Sequence, residues 1–494
     1  MSNSQSADLF EARPWMSPGA PAAAGIVGML FERETRLFRD LAQRYWIGAG
    51  AIIDAGSFLG RSAVCFAEGL RRNPAFEPQR HRIHCYDDFV CHDDLTVRTI
   101  AQGLGERLAI GDSTRHLFDR QVASHSDLIE VHAGDFHECV WPNAPIELLM
   151  VDVAKLPSLG QRVASQFYGR LIPGRSLVLH QDYHHMWLPH IHVVMEFLAD
   201  HFELVAPRVG STAVFRLTSA IRPDLLQRAA DYDFTREEQC DLFDAAIQRT
   251  APEDRAYLEL ARLMLRRGVD QPEHLMRQYD QVVERSRDFD GESWHSQCAQ
   301  ARASLLEAIV HHCCDSAAPE AARRCAEELV EIKPDSARAW QFLAHIELAS
   351  GREQEAAQAV RRSLSLPRPE LGGYLLPAGT LAALGATDEA EALLLEDLLS
   401  VAGKLSNPMG HVDLLCAIWE RQGAHQRQIG VIAALLERQP KQPDVHSLAA
   451  RCAFLHGDRA RAREHMLRAI ELGLSERRSR DLLAPLGVEP RDLR

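Results

Sequence analysis

At 494 residues the chain is too long for one ordinary core, and 55 Lys+Arg against 69 Asp+Glu leave a net charge of −14. The deficit is spread, with 20 basic against 25 acidic residues over 1–219 and 35 against 44 over the remainder, so neither part offers the basic face that nucleic acid or an anionic membrane needs. Hydrophobic content of 46% with 25% charged residues is that of a globular protein, and no stretch of 18 apolar residues exists to span a membrane. The opening MSNSQSADLFEARPW lacks the apolar centre of a signal peptide. Eleven cysteines with no C-x-x-C, and the vicinal Cys313–Cys314 as the close pair, read as free thiols in a reducing compartment. The expectation is a cytoplasmic protein. Only four of the basic residues are lysines: Lys155, Lys333, Lys404 and Lys441.

In chain order, residues 1–24 read as an N-terminal tail, and 25–219 alternate short apolar runs with amphipathic stretches. The predicted strands are 51–54, 82–87, 127–133, 146–152, 176–181, 202–207 and 212–217, the central ones apolar on both faces, as in a mostly parallel sheet covered by helices. Four residues (208–211) separate the last two, too few for a crossover helix, so these must pair antiparallel. Residues 220–252, rich in charge, read as a helical linker.

From 253 to 494 the β signal vanishes and a repeat takes over. Gly351/Ala356, Gly385/Ala390 and Gly457/Ala462 share one offset, Gly351 to Gly385 and Gly423 to Gly457 are each 34 residues, and the 38 between Gly385 and Gly423 imply a four-residue insertion. Ala322 lies one period before Ala356, in a helix ended by Pro334. With Trp340, Leu343, Ala344, Gly351, Ala356 and Pro367 in its best copy, this pattern resembles the tetratricopeptide repeat, a helix–turn–helix unit that buries its face by stacking on the next. Five copies span 303–474, and a degenerate sixth is placed at 254–285 on Tyr257, Leu260, Ala261 and Gly268.

The first strand runs into IIDAGSFLGRSAVCFAEGL, residues 52–70. Strand, acid, two glycines four apart and then a helix is how a βαβ unit opens a nucleoside crevice. Gly56 allows the sharp turn, Gly60 a helix start tight against the sheet, and Asp54 stands at the strand end, where it can meet an amine. Asp87 ends the second strand, where a carboxylate can accept ribose hydroxyls. The string D-A-G-S-F-L-G-R-S-A-V resembles motif I of class I S-adenosylmethionine-dependent methyltransferases, in the form found in small-molecule O-methyltransferases of the catechol and macrocin types. That resemblance covers about 25–219 and implies an α/β, Rossmann-like sheet with a terminal antiparallel hairpin, a feature no dehydrogenase sheet shares. It also implies S-adenosyl-L-methionine as cofactor, held by Asp54, Gly56, Ser57, Gly60, Asp87 and, after the third strand, Asp135 in HAGDF.

The chemistry of such a sheet sits at the carboxyl ends of its strands. The fourth ends MVDVAK, with Asp152 and Lys155 three apart, and Lys155 is the one lysine in the first 332 residues. An arginine could not act as a base, whereas a partly buried lysine beside a metal can. The fifth ends HQDYHHMWLPHIH. The catechol-type resemblance implies a magnesium ligand at Asp152, a proton-accepting Lys155, and further ligands at Gln181 and Asp182, with Gln181 weaker because it offers a neutral carbonyl. Five histidines, His180, His184, His185, His190 and His192, offer a metal-free base, with His184 and His185 preferred, a zinc site, or a polar wall for the acceptor pocket with Tyr183, Trp187 and Trp141.

Three functions stay open: methyl transfer to a hydroxyl of a small molecule or sugar with the repeats binding a protein partner or the acceptor, a non-catalytic scaffold acting through its repeats, and an α/β enzyme of another nucleoside-dependent class. Magnesium and a homo-oligomer are left open.

Overall fold

The computed structural model describes residues 9–142, 144–267, 269–287, 292–314, 319–367, 373–400, 408–423 and 425–474. Residues 1–8 of the expected tail, Gly268, Lys404, the side chains of Cys313 and Cys314, and 475–494 lie outside the described ones. The chain divides into two compact units, Met1–Asp270 with His274–Ala301, and Gln271–Glu273 with Arg302–Arg494.

The first unit is built on seven strands: β1 (Ala51–Ala55), β2 (Ile83–Asp87), β3 (Ile129–Ala133), β4 (Ile146–Val151), β5 (Leu177–His180), β6 (Phe202–Val209) and β7 (Thr212–Leu217). Their order is β3-β2-β1-β4-β5-β7-β6. β1 through β5 pair in parallel, and β7 runs antiparallel to both β5 and β6. Strand order reverses between β1 and β4, whose carboxyl ends are the place where open sheets of this kind take ligands. Every residue of β4 is buried, as a two-sided strand requires, and each of Leu148, Leu149, Met150 and Val151 contributes about 1.5–3 kcal/mol by leaving water. Its one acid, Glu147, accepts from the amides of Ile47 (2.9 Å) and Ala49 (2.8 Å) and pairs with Arg175, a structural charge at the opposite end of the strand.

Residues 9–24 are not a loose tail. Trp15, wholly buried, joins Phe10, Ala22, Phe38 and Trp46 in the core on one face of the sheet. The apolar residues there come singly between turns, so no periodicity announces them. Residues 220–252 hold two helices, Pro223–Asp231 and Arg236–Arg249, and Phe243 of the second is buried against His192 at 5.1 Å.

The second unit is helical. Helices beginning at Pro319, Glu353, Thr387, His425 and Arg459 follow one another at 34, 34, 38 and 34 residues, each the second half of a helix–turn–helix pair. Gly351, Gly385, Gly423 and Gly457 end the first helices of four pairs with φ of +74, +85, +60 and +78, the left-handed exit that glycine adopts without steric cost. Ala344, Ala378, Ala390, Leu415, Trp419 and Leu448 form one continuous core along the stack. The nine described cysteines of the chain are all free.

Candidate functional site

The site residues follow the carboxyl ends of β1 through β5. After β1, the amides of Gly56 (2.8 Å) and Ser57 (3.3 Å) donate to the Tyr86 carbonyl on β2, and Ser57 Oγ donates to the Asp54 carbonyl at 2.9 Å. Gly56 has φ +95, and a Cβ on it would stand 2.8 Å from Val153 N just beyond β4; Gly60 has φ +87, and its Cβ would stand 2.4 Å from Val122 Cγ1. Both glycines are therefore fixed twice, by backbone conformation and by close approach.

Asp54 is fully buried beneath this turn. Its Oδ2 accepts from Ser62 Oγ at 2.7 Å, its Oδ1 has no partner among the described residues, and burial pushes its pKa up to about 7 against the opposing pull of Ser62. The acid that the spacing sets at the crevice thus supports the turn from below. Asp87 accepts from the amides of Phe58 (2.8 Å) and Phe89 (2.7 Å), one per oxygen, so about two of its four lone-pair sites remain for a ligand. Asp135 follows Gly134, whose amide donates to the Asp87 carbonyl at 3.0 Å. It is exposed, and its Oδ1 accepts from the His137 amide and ring, which hold it below the usual carboxylate range.

At the ends of β4 and β5, Lys155 Nζ bridges Asp152 Oδ1 and Asp182 Oδ2, the second at 2.7 Å. Burial opposes the ammonium, but the two carboxylates outweigh it and raise the lysine, so Lys155 holds its proton more firmly than a free lysine. Asp152 is pushed up to about 6 by burial, against the pull of Lys155, while Asp182 is held low because Lys155 outweighs its burial. The side chains of Lys155, Asp152 and Asp182 are 47%, 28% and 31% exposed, open enough for a ligand to reach them.

Gln181 faces elsewhere. Its Nε2 donates to Ser211 Oγ at 2.7 Å, Glu34 Oε1 accepts from the Ser211 amide (3.0 Å), and the single proton of Thr212 Oγ1 lies between Gln181 Oε1 and Glu34 Oε1 (2.8 Å), which share it. This buried network ties β5 to the β6–β7 hairpin. For magnesium, Asp152 and Asp182 could supply two carboxylates, yet a lysine ammonium joins them and the glutamine carbonyl is committed. The donor set as arranged does not fit the metal.

The five histidines separate by burial. His180 bonds Tyr168 Oη (2.9 Å), and His190 bonds the Ala154 carbonyl (3.0 Å). His192 bonds the Tyr183 carbonyl. Burial pushes His180, His184 and His192 down to about 3 and His190 to about 4. His184 is buried between Tyr183 (5.2 Å) and Tyr257 (6.1 Å). His185 is the half-exposed one: its amide donates to the Asp182 carbonyl at 2.8 Å, and burial together with Lys155 lowers it against the pull of Asp182.

Sequence reasoning missed Glu34, Ser211 and Thr212, which meet Gln181 only through pairing across the sheet. It also missed Phe58, Phe89 and Asp182 as non-glycine residues with φ of +45, +56 and +55 in the turns after β1, β2 and β5. Such backbone costs of order 1–3 kcal/mol each and concentrates at functional sites.

No family model matches the chain, and no curated protein matches it. Solved structures to which it is similar include a tetratricopeptide repeat protein from Parabacteroides merdae, 13% identical over 50% of this chain and 91% of that one, with a TM-score of 0.33. Yeast Tom70 is 10% identical over 60% of this chain and 63% of its own, with a TM-score of 0.31. The pyocyanin biosynthetic protein PhzM is 13% identical over 38% of this chain and 56% of its own, with a TM-score of 0.25.

Proposed function

We propose that the sheet unit binds S-adenosylmethionine and transfers its methyl group to a hydroxyl of a small molecule or sugar, while the repeats bind a protein partner or the acceptor. The observation that carries this reading is the sheet order, with β7 antiparallel between β5 and β6 and the glycine turn where strand order reverses. It is the arrangement that the resemblance of residues 52–70 to motif I implies. The donor set suits the cofactor: Asp87 keeps lone pairs for a ribose diol, and the exposed Asp135 suits the adenine amine.

When bound, S-adenosylmethionine supplies a methyl group already activated by its sulfonium, so the protein has to orient an oxygen and remove one proton. Lys155 Nζ keeps its proton and presents a fixed positive charge to an oxygen becoming anionic. Asp152, pushed up to about 6, takes the hydroxyl proton at Oδ2, the oxygen that Lys155 leaves open. His185 beside Asp182 is the second group able to accept it.

Calorimetric titration of the full chain with S-adenosylhomocysteine tests the reading, and absence of binding sinks it. Lys155→Met and Asp152→Asn should bind as the wild type does while methyl transfer falls by roughly 100-fold or more. Transfer should rise with pH through about 6 as Asp152 ionises.

A second reading, a nucleoside-binding scaffold, is favoured by the lysine locked between two carboxylates and by the glutamine committed to the hairpin. Binding without transfer to any acceptor would select it.

A further inference from the structure

The outer edge of the sheet carries a cluster that the methyl-transfer reading does not use. β2 and β3 pair in register with His84 opposite Glu130 and Tyr86 opposite His132. Side chains two apart on a strand share a face, so His84, Glu130 and His132 converge on one side of the sheet. His84 Nδ1 and His132 Nε2 are 3.1 Å apart; each nitrogen also lies near a different carboxylate oxygen of Glu130, His84 Nδ1 at 3.6 Å and His132 Nε2 at 3.7 Å. A tetrahedral ion with zinc–nitrogen and zinc–oxygen bonds of about 2.0–2.1 Å has ligand atoms about 3.3 Å apart; the two nitrogens already stand near that spacing, and one Glu130 oxygen lies within 4.8 Å of both.

The rings are held in place. Tyr86 stacks on His132 with centroids 4.3 Å apart and planes at 9°, and Trp141 meets His84 edge-on at 4.8 Å. Burial favours the neutral form of both imidazoles, which is the ligating form. Glu130 and His132 are 54% and 30% exposed, which leaves a solvent side for a fourth ligand. Among the described residues these three are the group of histidine, cysteine and acid side chains whose donor atoms converge closely enough to hold an ion.

We propose that His84, His132 and Glu130 bind one divalent transition-metal ion of the zinc class through two imidazole nitrogens and a carboxylate oxygen, with water completing the shell. The ion fastens the edge strand β3 to β2 and is separate from the Asp152–Lys155–Asp182 cluster.

The test uses the full chain, stripped with chelator and titrated with Co2+ and then Zn2+ at neutral pH. One equivalent of Co2+ should develop the visible bands of a four-coordinate nitrogen and oxygen site, and Zn2+ should displace it. His84→Gln with His132→Gln should abolish the bands, and Glu130→Gln should weaken binding by roughly tenfold or more, at least the loss that outer-shell partners cause. Asp152→Asn with Asp182→Asn should leave the bands unchanged. Absence of stoichiometric binding, sulfur-to-cobalt charge-transfer bands, loss of the bands in the aspartate variant, or undiminished binding in the histidine variant overturns the proposal. If the double-histidine chain does not fold by circular dichroism, the half-exposed Glu130→Gln decides alone, and unchanged affinity there rejects the site.

Discussion

Gly56 in the sheet unit and Gly351 in the helical unit hold similar left-handed backbone, with φ of +95 and +74, yet their surroundings differ. A Cβ on Gly56 would press on the backbone nitrogen of Val153 at 2.8 Å, whereas one on Gly351, and equally on Gly385, Gly423 or Gly457, would meet nothing within 4 Å among the described residues. In the repeats the glycine answers to conformation alone, and the demand recurs at each turn. At the sheet edge, conformation, proximity and charge are loaded on a few residues. Repetition spreads constraint over many weak positions; the strand ends concentrate it.

That contrast can be broken by experiment, and the largest expected effect is in the helical core, where Trp419→Ala should cost about 3–5 kcal/mol while leaving the proposed nucleoside binding intact, checked by paired denaturation and calorimetry. A change of pH comes next. His180, His184, His190 and His192 have folded pKa values pushed below the ordinary 6.5, so their unfolded forms bind more protons, and stability is lost as pH falls below 6.5 toward about 3–4. Asp54 works the other way: its folded pKa of about 7 lies above its ordinary 3.8, so its cost to stability grows as pH rises from about 4 to 7 and is relieved on acidification. Asp152, pushed up to about 6, and Glu34 and Asp87, which burial also raises, act as Asp54 does; the four histidines still outweigh them, and the sheet unit should lose about 3 kcal/mol between pH 7.5 and 5, read as a fall in urea midpoint. The helical unit, where burial lowers His465, should lose less. Equal losses would remove the distinction.

Gly56→Ala should cost about 2–4 kcal/mol and weaken the proposed nucleoside binding. Gly351→Ala, made in open space, should cost about 1 kcal/mol, measurable as a small shift in midpoint. A penalty there as large as at Gly56 would mean that the repeats carry hidden close contacts.

Much of this was legible from residue order. All seven strands fall within a few residues of the apolar runs, the four-residue gap between the last two forced the antiparallel pair, and the 34-residue spacing located the helical pairs. What stayed hidden depends on residues far apart in sequence. Lys155 stands out as a rare lysine, but its spacing from Asp152 cannot reveal that Asp182 closes on it from the other side. Asp54 reads as a crevice acid because it ends a strand, yet its burial is set by how the following helix, through Ser62, folds over it. The His84–Glu130–His132 cluster is split between two strands whose register no local pattern fixes.

The buried carboxylate of Glu34 also constrains the order of events during synthesis. Its Oε2 accepts from the Phe31 amide three residues earlier, but the partners of Oε1, Ser211 and Thr212, lie 177 and 178 residues later in the chain. At about 5–20 residues per second, a nascent chain would wait roughly 10–40 s between making the acid and making the hydroxyls that satisfy it. β4, the central strand of the seven, also follows the helix Glu32–Asp40 by more than 100 residues. Until the hairpin is made, Glu34 Oε2 has its local partner in the Phe31 amide, but Oε1 must stay in water, so the native burial of this acid is tied to the last two strands of the sheet.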